Sequence, residues 1–210
     1  MGVLKQGILG GFRGKVGSVI GTGWKGKAVI KAMPLSVANP RTAGQVSQRG
    51  KFSLLVELSS LILAAIIKPL WDRFAVGMSG YNAFMSANRN AFKPDNTIDY
   101  AKLQISKGKM LKADVLFDGG TADKKNYTLK SPVGDKFALP TDKIYALSLD
   151  ATGKQILYSG MTSVVRGSGA TVAVPITYKD ATAASAVKHT YFSYLRADGS
   201  EVSNTGYYVH

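Results

Sequence analysis

The chain has 210 residues with 45% hydrophobic and 19% charged side chains, enough to bury a core in one large domain or two small ones and too apolar for global disorder. It contains no cysteine and two histidines, His189 and His210, which excludes disulfides, thiol catalysis, sulfur-liganded zinc and any histidine-rich metal site. Of the net charge of +14, nine units fall in residues 1–51, which carry nine Lys or Arg and no acid before Glu57. Such a block attracts nucleic acid, anionic membrane or an acidic protein partner.

Residues 1–38 are expected to form a basic, glycine-rich arm. The opening lacks the unbroken apolar run of a secretory leader, which predicts a cytoplasmic product without a signal peptide. Two β-prone runs, 15–20 and 24–31, are joined by Gly21, Thr22 and Gly23, read as a hairpin turn. Alternation along the second run places Lys25, Lys27, Val29 and Lys31 on one face and Trp24, Gly26, Ala28 and Ile30 on the other. The contact residues expected here are Lys5, Arg13, Lys15, Trp24, Lys25, Lys27 and Lys31, with Arg41 and Arg49 following.

The stretch GTGWKGKA at 21–28 also fits two phosphate-loop patterns. It fails both. The hydroxyl that would hold magnesium is replaced by Ala28, the next residues are β-branched and end at Pro34 instead of opening a helix, and no acid lies about 20 residues on.

Residues 39–98 are expected to be helical. Pro40 suits a first helical turn, and Thr42 with Gln45 has capping-box spacing. Phe52, Leu55, Leu58, Ile62 and Ile66 recur at three–four spacing, as on a buried helix face. The apolar stretch 54–67 is shorter than the ~20 residues of a membrane span and holds Glu57, so no span is expected. Pro69 breaks that helix, and Ser79 is placed to cap another over 80–92, with Tyr81, Phe84, Met85 and Asn88 on one side. Lys93, Pro94, Asp95 and Asn96 mark a boundary.

Residues 99–210 read as β-rich. Runs at 110–117, 143–149, 155–158, 163–166, 170–176, 187–195 and 201–209 are separated by turn residues. The predicted fold class is therefore α+β: a basic β-hairpin and a helical segment, followed by an all-β immunoglobulin/fibronectin-like sandwich. No nucleophile elbow or carboxylate pair suggests catalysis. His189 is expected within a strand and His210 as a mobile terminus. No cofactor, metal or small-molecule substrate is expected.

The chain resembles an uncharacterised, Bacteroidetes-type family defined as a domain of unknown function. The likeness rests on LKQGILGGFRGKVGSVI at 4–20 with Trp24, on Asn39, Pro40, Arg41 and Thr42 with Gln45, Arg49, Lys51 and Phe52, and on Gly80, Tyr81, Asn82, Phe84 and Asn88. It continues through Ile105, Ser106, Lys107 and Gly108 to Val202, Ser203, Asn204 and Tyr207. The helix at 39–42 and the motif at 80–84 are also similar to segments of phage structural proteins. The family likeness carries no activity; the basic glycine-rich arm, the helices and the sandwich, with the phage likeness, lead to the expectation of a non-enzymatic structural protein, a repeating component of a phage-like particle or virion. It would form homo- or hetero-oligomers, its basic arm contacting neighbouring subunits or packaged nucleic acid. A cellular nucleic-acid-binding protein and a surface adhesion module are the alternatives.

Overall fold

The computed structural model describes residues 2–3, 11–24, 26–36, 39–93, 95, 97–132 and 134–210, without the side chain of Trp24. The chain divides into two compact units, Met1–Thr42 and Ala43–His210.

The first unit is a four-stranded antiparallel sheet of β1 (Gly2–Val3), β2 (Gly14–Val16), β3 (Val19–Trp24) and β4 (Lys27–Ala32), in the order β1-β4-β3-β2. The turns fall at Gly17-Ser18 and at Gly26, where Gly17 (φ 58°) and Gly26 (φ 77°) supply the left-handed backbone. This corrects the expected hairpin turn at 21–23: Gly21, Thr22 and Gly23 lie inside β3, paired with Ile30, Val29 and Ala28. The reason is close approach. A β-carbon at Gly21 would run into the carbonyl and ring of Phe12, which folds across the sheet there.

The second unit opens with α1 (Ala43–Leu61), whose residues Leu55 and Leu58 are buried as the periodicity predicts. Ser59 and Ser60 donate back to the carbonyls of Leu55 and Val56, and past Ile62 the helix widens into a π turn over Leu63–Ile67. The axis bends by 69° at Ile62, and beyond the bend the π turn runs on into α2 (Lys68–Trp71), with Pro69 in its first turn. No single helix among the described residues is long and apolar enough to cross a membrane. Helix α3 (Gly80–Asn88) is capped by Ser79, whose Oγ accepts from the Asn82 amide at 3.3 Å. It stops at Asn88, short of the expected Phe92, because the Asn88 side chain turns to the next segment. Its Nδ2 donates to Gln104 O (2.9 Å) and its Oδ1 accepts from Gln104 N (2.7 Å).

Seven strands follow: β5 (Asp114–Gly120), β6 (Lys124–Lys130), β7 (Lys143–Asp150), β8 (Ile156–Val165), β9 (Thr171–Thr177), β10 (Val187–Leu195) and β11 (Gly206–Val209), with a short α4 (Ala181–Ala186) before β10. They form a three-stranded sheet, β5-β6-β9, and a four-stranded sheet, β11-β10-β7-β8, with every pairing antiparallel.

Tyr127, Leu129, Val174 and Ile176 of the first sheet pack on Ile144, Ala146, Phe192 and Tyr194 of the second in one buried cluster. The opposite face of β7 and β10 presents Leu147, Leu149, Tyr191 and Leu195 to a second cluster. That cluster contains Leu55, Leu58, Ile62, Ile66, Trp71 and Phe84. The result is three layers, helices on a four-stranded sheet on a three-stranded sheet, a mixed α+β fold. Being covered on both faces, β10 is buried at every position but Lys188, with His189, Thr190 and Ser193 taken into the interior beside the apolar residues.

Candidate interaction surface

The register of the first unit decides which basic residues come together. Lys15 pairs with Ile20 and Ile20 with Lys31, so these three form one row across β2, β3 and β4. Two residues along the strands, Thr22, Val29 and Val3 form the next row on the same face, and Lys27 begins a third. One face therefore carries Lys15, Lys27 and Lys31 around Ile20 and Val29, and all three lysines are exposed. Among the described residues no carboxylate pairs with any of them.

The opposite face is the glycine side, with Gly14, Gly21 and Gly23 beside Ala28 and Ile30. Residues 11–13 cross it. Gly11 sits against Ala28, Phe12 against Gly21, and the Arg13 guanidinium comes within 3.2 Å of where a β-carbon of Gly23 would lie. The glycines thus make room for a chain segment, and Arg13 lies away from the lysine face. Arg41 is exposed ahead of α1, and Arg49 is exposed on α1 in the second unit. Lys5, Lys25 and the side chain of Trp24 lie outside the described residues.

Little apolar surface is covered in this unit. Val29, 5% exposed, is the buried hydrophobic residue among those described, while Val3, Val16, Met33 and Leu35 are exposed. An isolated sheet needs a hydrophobic face or a packing partner to be stable in water.

Two polar clusters in the second unit were not anticipated. In the first, Arg166 is 3% exposed. Its Nη1 lies 3.5 Å from carboxylate oxygens of both Asp135 and Asp142, its Nε donates to Ser131, and its guanidinium stacks on Tyr194. Burial pushes the Asp142 carboxyl above the usual range, against the opposing pull of the Leu139 amide and Arg166. No spacing signal links these residues, because they meet across the fold.

The second cluster corrects the reading of His210 as a mobile terminus. Its Nε2 and the Tyr127 hydroxyl are 2.8 Å apart, its amide donates to Lys188 O at 2.9 Å, and its ring packs edge-on against Phe117. Burial, with Lys125, Lys188 and His189 nearby, pulls its pKa down to about 4. The Tyr127 hydroxyl also meets Thr190 and Tyr178, and Ser148 meets Tyr178, which closes a buried hydroxyl network between the sheets. His189, in its expected strand, stacks on Tyr100 with ring centroids 3.9 Å apart. No group of three or more His, Asp or Glu among the described residues could hold a metal ion.

Two segments that carried the family resemblance meet in space. The Ser106 amide donates to Thr205 Oγ1 (3.0 Å) and the Gly108 amide to Asn204 Oδ1 (3.3 Å), and a β-carbon at Gly108 would strike the Val202 carbonyl. Those residues weld the segment before β5 to the one before β11. A family model described as a family of unknown function, DUF6266, matches residues 11–209, and the chain belongs to that family. No curated protein and no solved structure matches it.

Proposed function

We propose that this member of the DUF6266 family is a non-enzymatic assembly protein, a repeating component of a phage-like particle, whose basic N-terminal sheet is completed by neighbouring subunits. The observation that carries the reading is the first unit itself. It is a compact sheet with Val29 as its buried hydrophobic residue among those described, exposed Val3, Val16, Met33 and Leu35, and a face of lysines that pair with no carboxylate among the described residues. Such a surface gains most from a partner that covers the apolar residues and supplies carboxylates.

In this proposal the seven strands are an immunoglobulin/fibronectin-like sandwich. The first, second and fifth strands share one sheet, and the fourth, third, sixth and seventh lie in that order in the other. The segment 39–42 ahead of α1 and the motif at 80–84 add the likeness to phage structural segments, in a family of Bacteroidetes type. A second reading, packaged nucleic acid as the partner of the sheet, is favoured by the acid-free lysine face.

The test is native mass spectrometry of the full chain over a concentration series, with and without Lys15→Glu, Lys27→Glu and Lys31→Glu combined. Concentration-dependent oligomers that the triple variant weakens at least tenfold support the reading. A protein that stays monomeric throughout, with residues 11–36 resistant to protease, overturns it. Oligomers that form only when DNA or RNA is added favour the second reading.

A further inference from the structure

The first three turns of α1, residues 43–53, contain no buried residue. Phe52, expected on the core stripe, is instead 61% exposed, more than Phe117 at 36% or Phe137 at 38%. It lies on the wall of a groove of about 430 Å³ lined by Gln48, Lys51, Phe52, Leu55, Arg89, Asn90 and Phe92. Gln48 and Phe52 are one turn apart on α1, as are Lys51 and Leu55, while Arg89 and Asn90 follow directly on the end of α3. Leu55 and Phe92 are buried, and the other lining residues form the rim.

No acid lines this groove, and among the described residues no carboxylate pairs with Lys51 or Arg89. The rim therefore offers two cations, two amides that donate and accept, and one open aromatic face. Phosphates, base edges and an unstacked base are the matching set. An acidic peptide would use the cations and leave the ring idle, and a duplex would hide its base faces from the ring.

We propose that this groove binds single-stranded nucleic acid. The Phe52 ring stacks on one base, Lys51 and Arg89 hold the flanking phosphates, and Gln48 and Asn90 meet the base edges. The site lies wholly within the second unit and stands whether or not copies of the chain associate.

The experiment is fluorescence anisotropy of the full-length protein with labelled oligo-dT and oligo-A RNA of about 20 nucleotides, a duplex of the same length, and poly-glutamate as competitor. Because Phe52 is exposed, Phe52→Ala should keep the native circular dichroism melt. It should weaken single-strand binding about tenfold, with Phe52→Trp restoring it. Lys51→Gln with Arg89→Gln should reduce the slope of log K against log salt by about 1.4, the loss of two phosphate contacts. The proposal is overturned by no binding at low salt, or by Phe52→Ala binding as the parent does. Duplex and poly-glutamate binding as well as the single strand would overturn it too. So would binding lost only when Lys15, Lys27 and Lys31 are neutralised.

Discussion

The two units of this chain are held together by different physics. In Ala43–His210, two clusters of buried side chains share the strands β7 and β10, so removing apolar surface from water supplies the main stabilisation. In Met1–Thr42, strand pairing is extensive but Val29 is the buried hydrophobic residue among those described, and glycines allow a crossing segment to lie close on the sheet. A sheet can satisfy its backbone hydrogen bonds without burying enough surface to be stable alone. The contrast teaches where to look for a partner: on the unit whose geometry is complete and whose core is not.

The largest expected effect belongs to the second unit. Replacing Arg166 by Leu strands the Asp135 and Asp142 carboxylates, both almost fully buried, without their counter-charge. The loss should be about 3 kcal/mol in urea unfolding at neutral pH. It should shrink at lower pH, since burial already raises the Asp142 pKa and protonation removes the stranded charge. Equal losses at pH 5 and pH 7.5 would show that the ion cluster is not the cause.

Next comes Gly21→Ala in the first unit. Its β-carbon collides with the Phe12 backbone and ring, so residues 11–13 must move. This should cost about 1–3 kcal/mol locally. Amide exchange across 11–36 should speed up while the main melting transition shifts by less than the equivalent of about 0.5 kcal/mol. A large shift of the main transition would mean that the units are not energetically distinct.

The smallest effect is that of pH through His210. Its folded-state pKa of about 4 lies below the ordinary 6.5, so the unfolded chain binds the proton first. Stability is therefore complete above about pH 6.5 and falls as pH drops toward 4, by on the order of 1–2 kcal/mol after allowing for partial solvent exposure. His189, also lowered chiefly by burial, adds in the same direction. Replacing His210 by Gln should flatten that part of the stability profile, and an unchanged profile would remove His210 as the cause.

Strand and helix signals were legible where burial is one-sided or continuous. β10 matches its expected 187–195 run, and Ser79 caps α3 as its position suggested. β6 falls outside the expected runs because KKNYTLK alternates buried Tyr127 and Leu129 with charged and polar residues, and so resembles a turn in composition. β8 looks like two runs in the sequence because Ser159 and Gly160 resemble a turn, yet they pair with Leu147 and Ala146 inside one strand. Gly21 and Gly23 misled in the same way: a glycine for a turn and a glycine for close approach are identical in sequence. Phe52 kept the helical rhythm but lies where α1 buries no residue, and periodicity cannot tell where a neighbour ends. Of the candidate surface, alternation grouped Lys27 with Lys31. Bringing in Lys15 and separating Arg13 required the register of β2 on β3.

The most direct measurement of the central claim is hydrogen exchange of the amides in 11–36 as a function of protein concentration. A first unit completed by neighbours predicts exchange near the unprotected rate at high dilution and strong protection as subunits associate, with the second unit protected throughout. Protection of 11–36 that is the same at every dilution down to the monomer would contradict it.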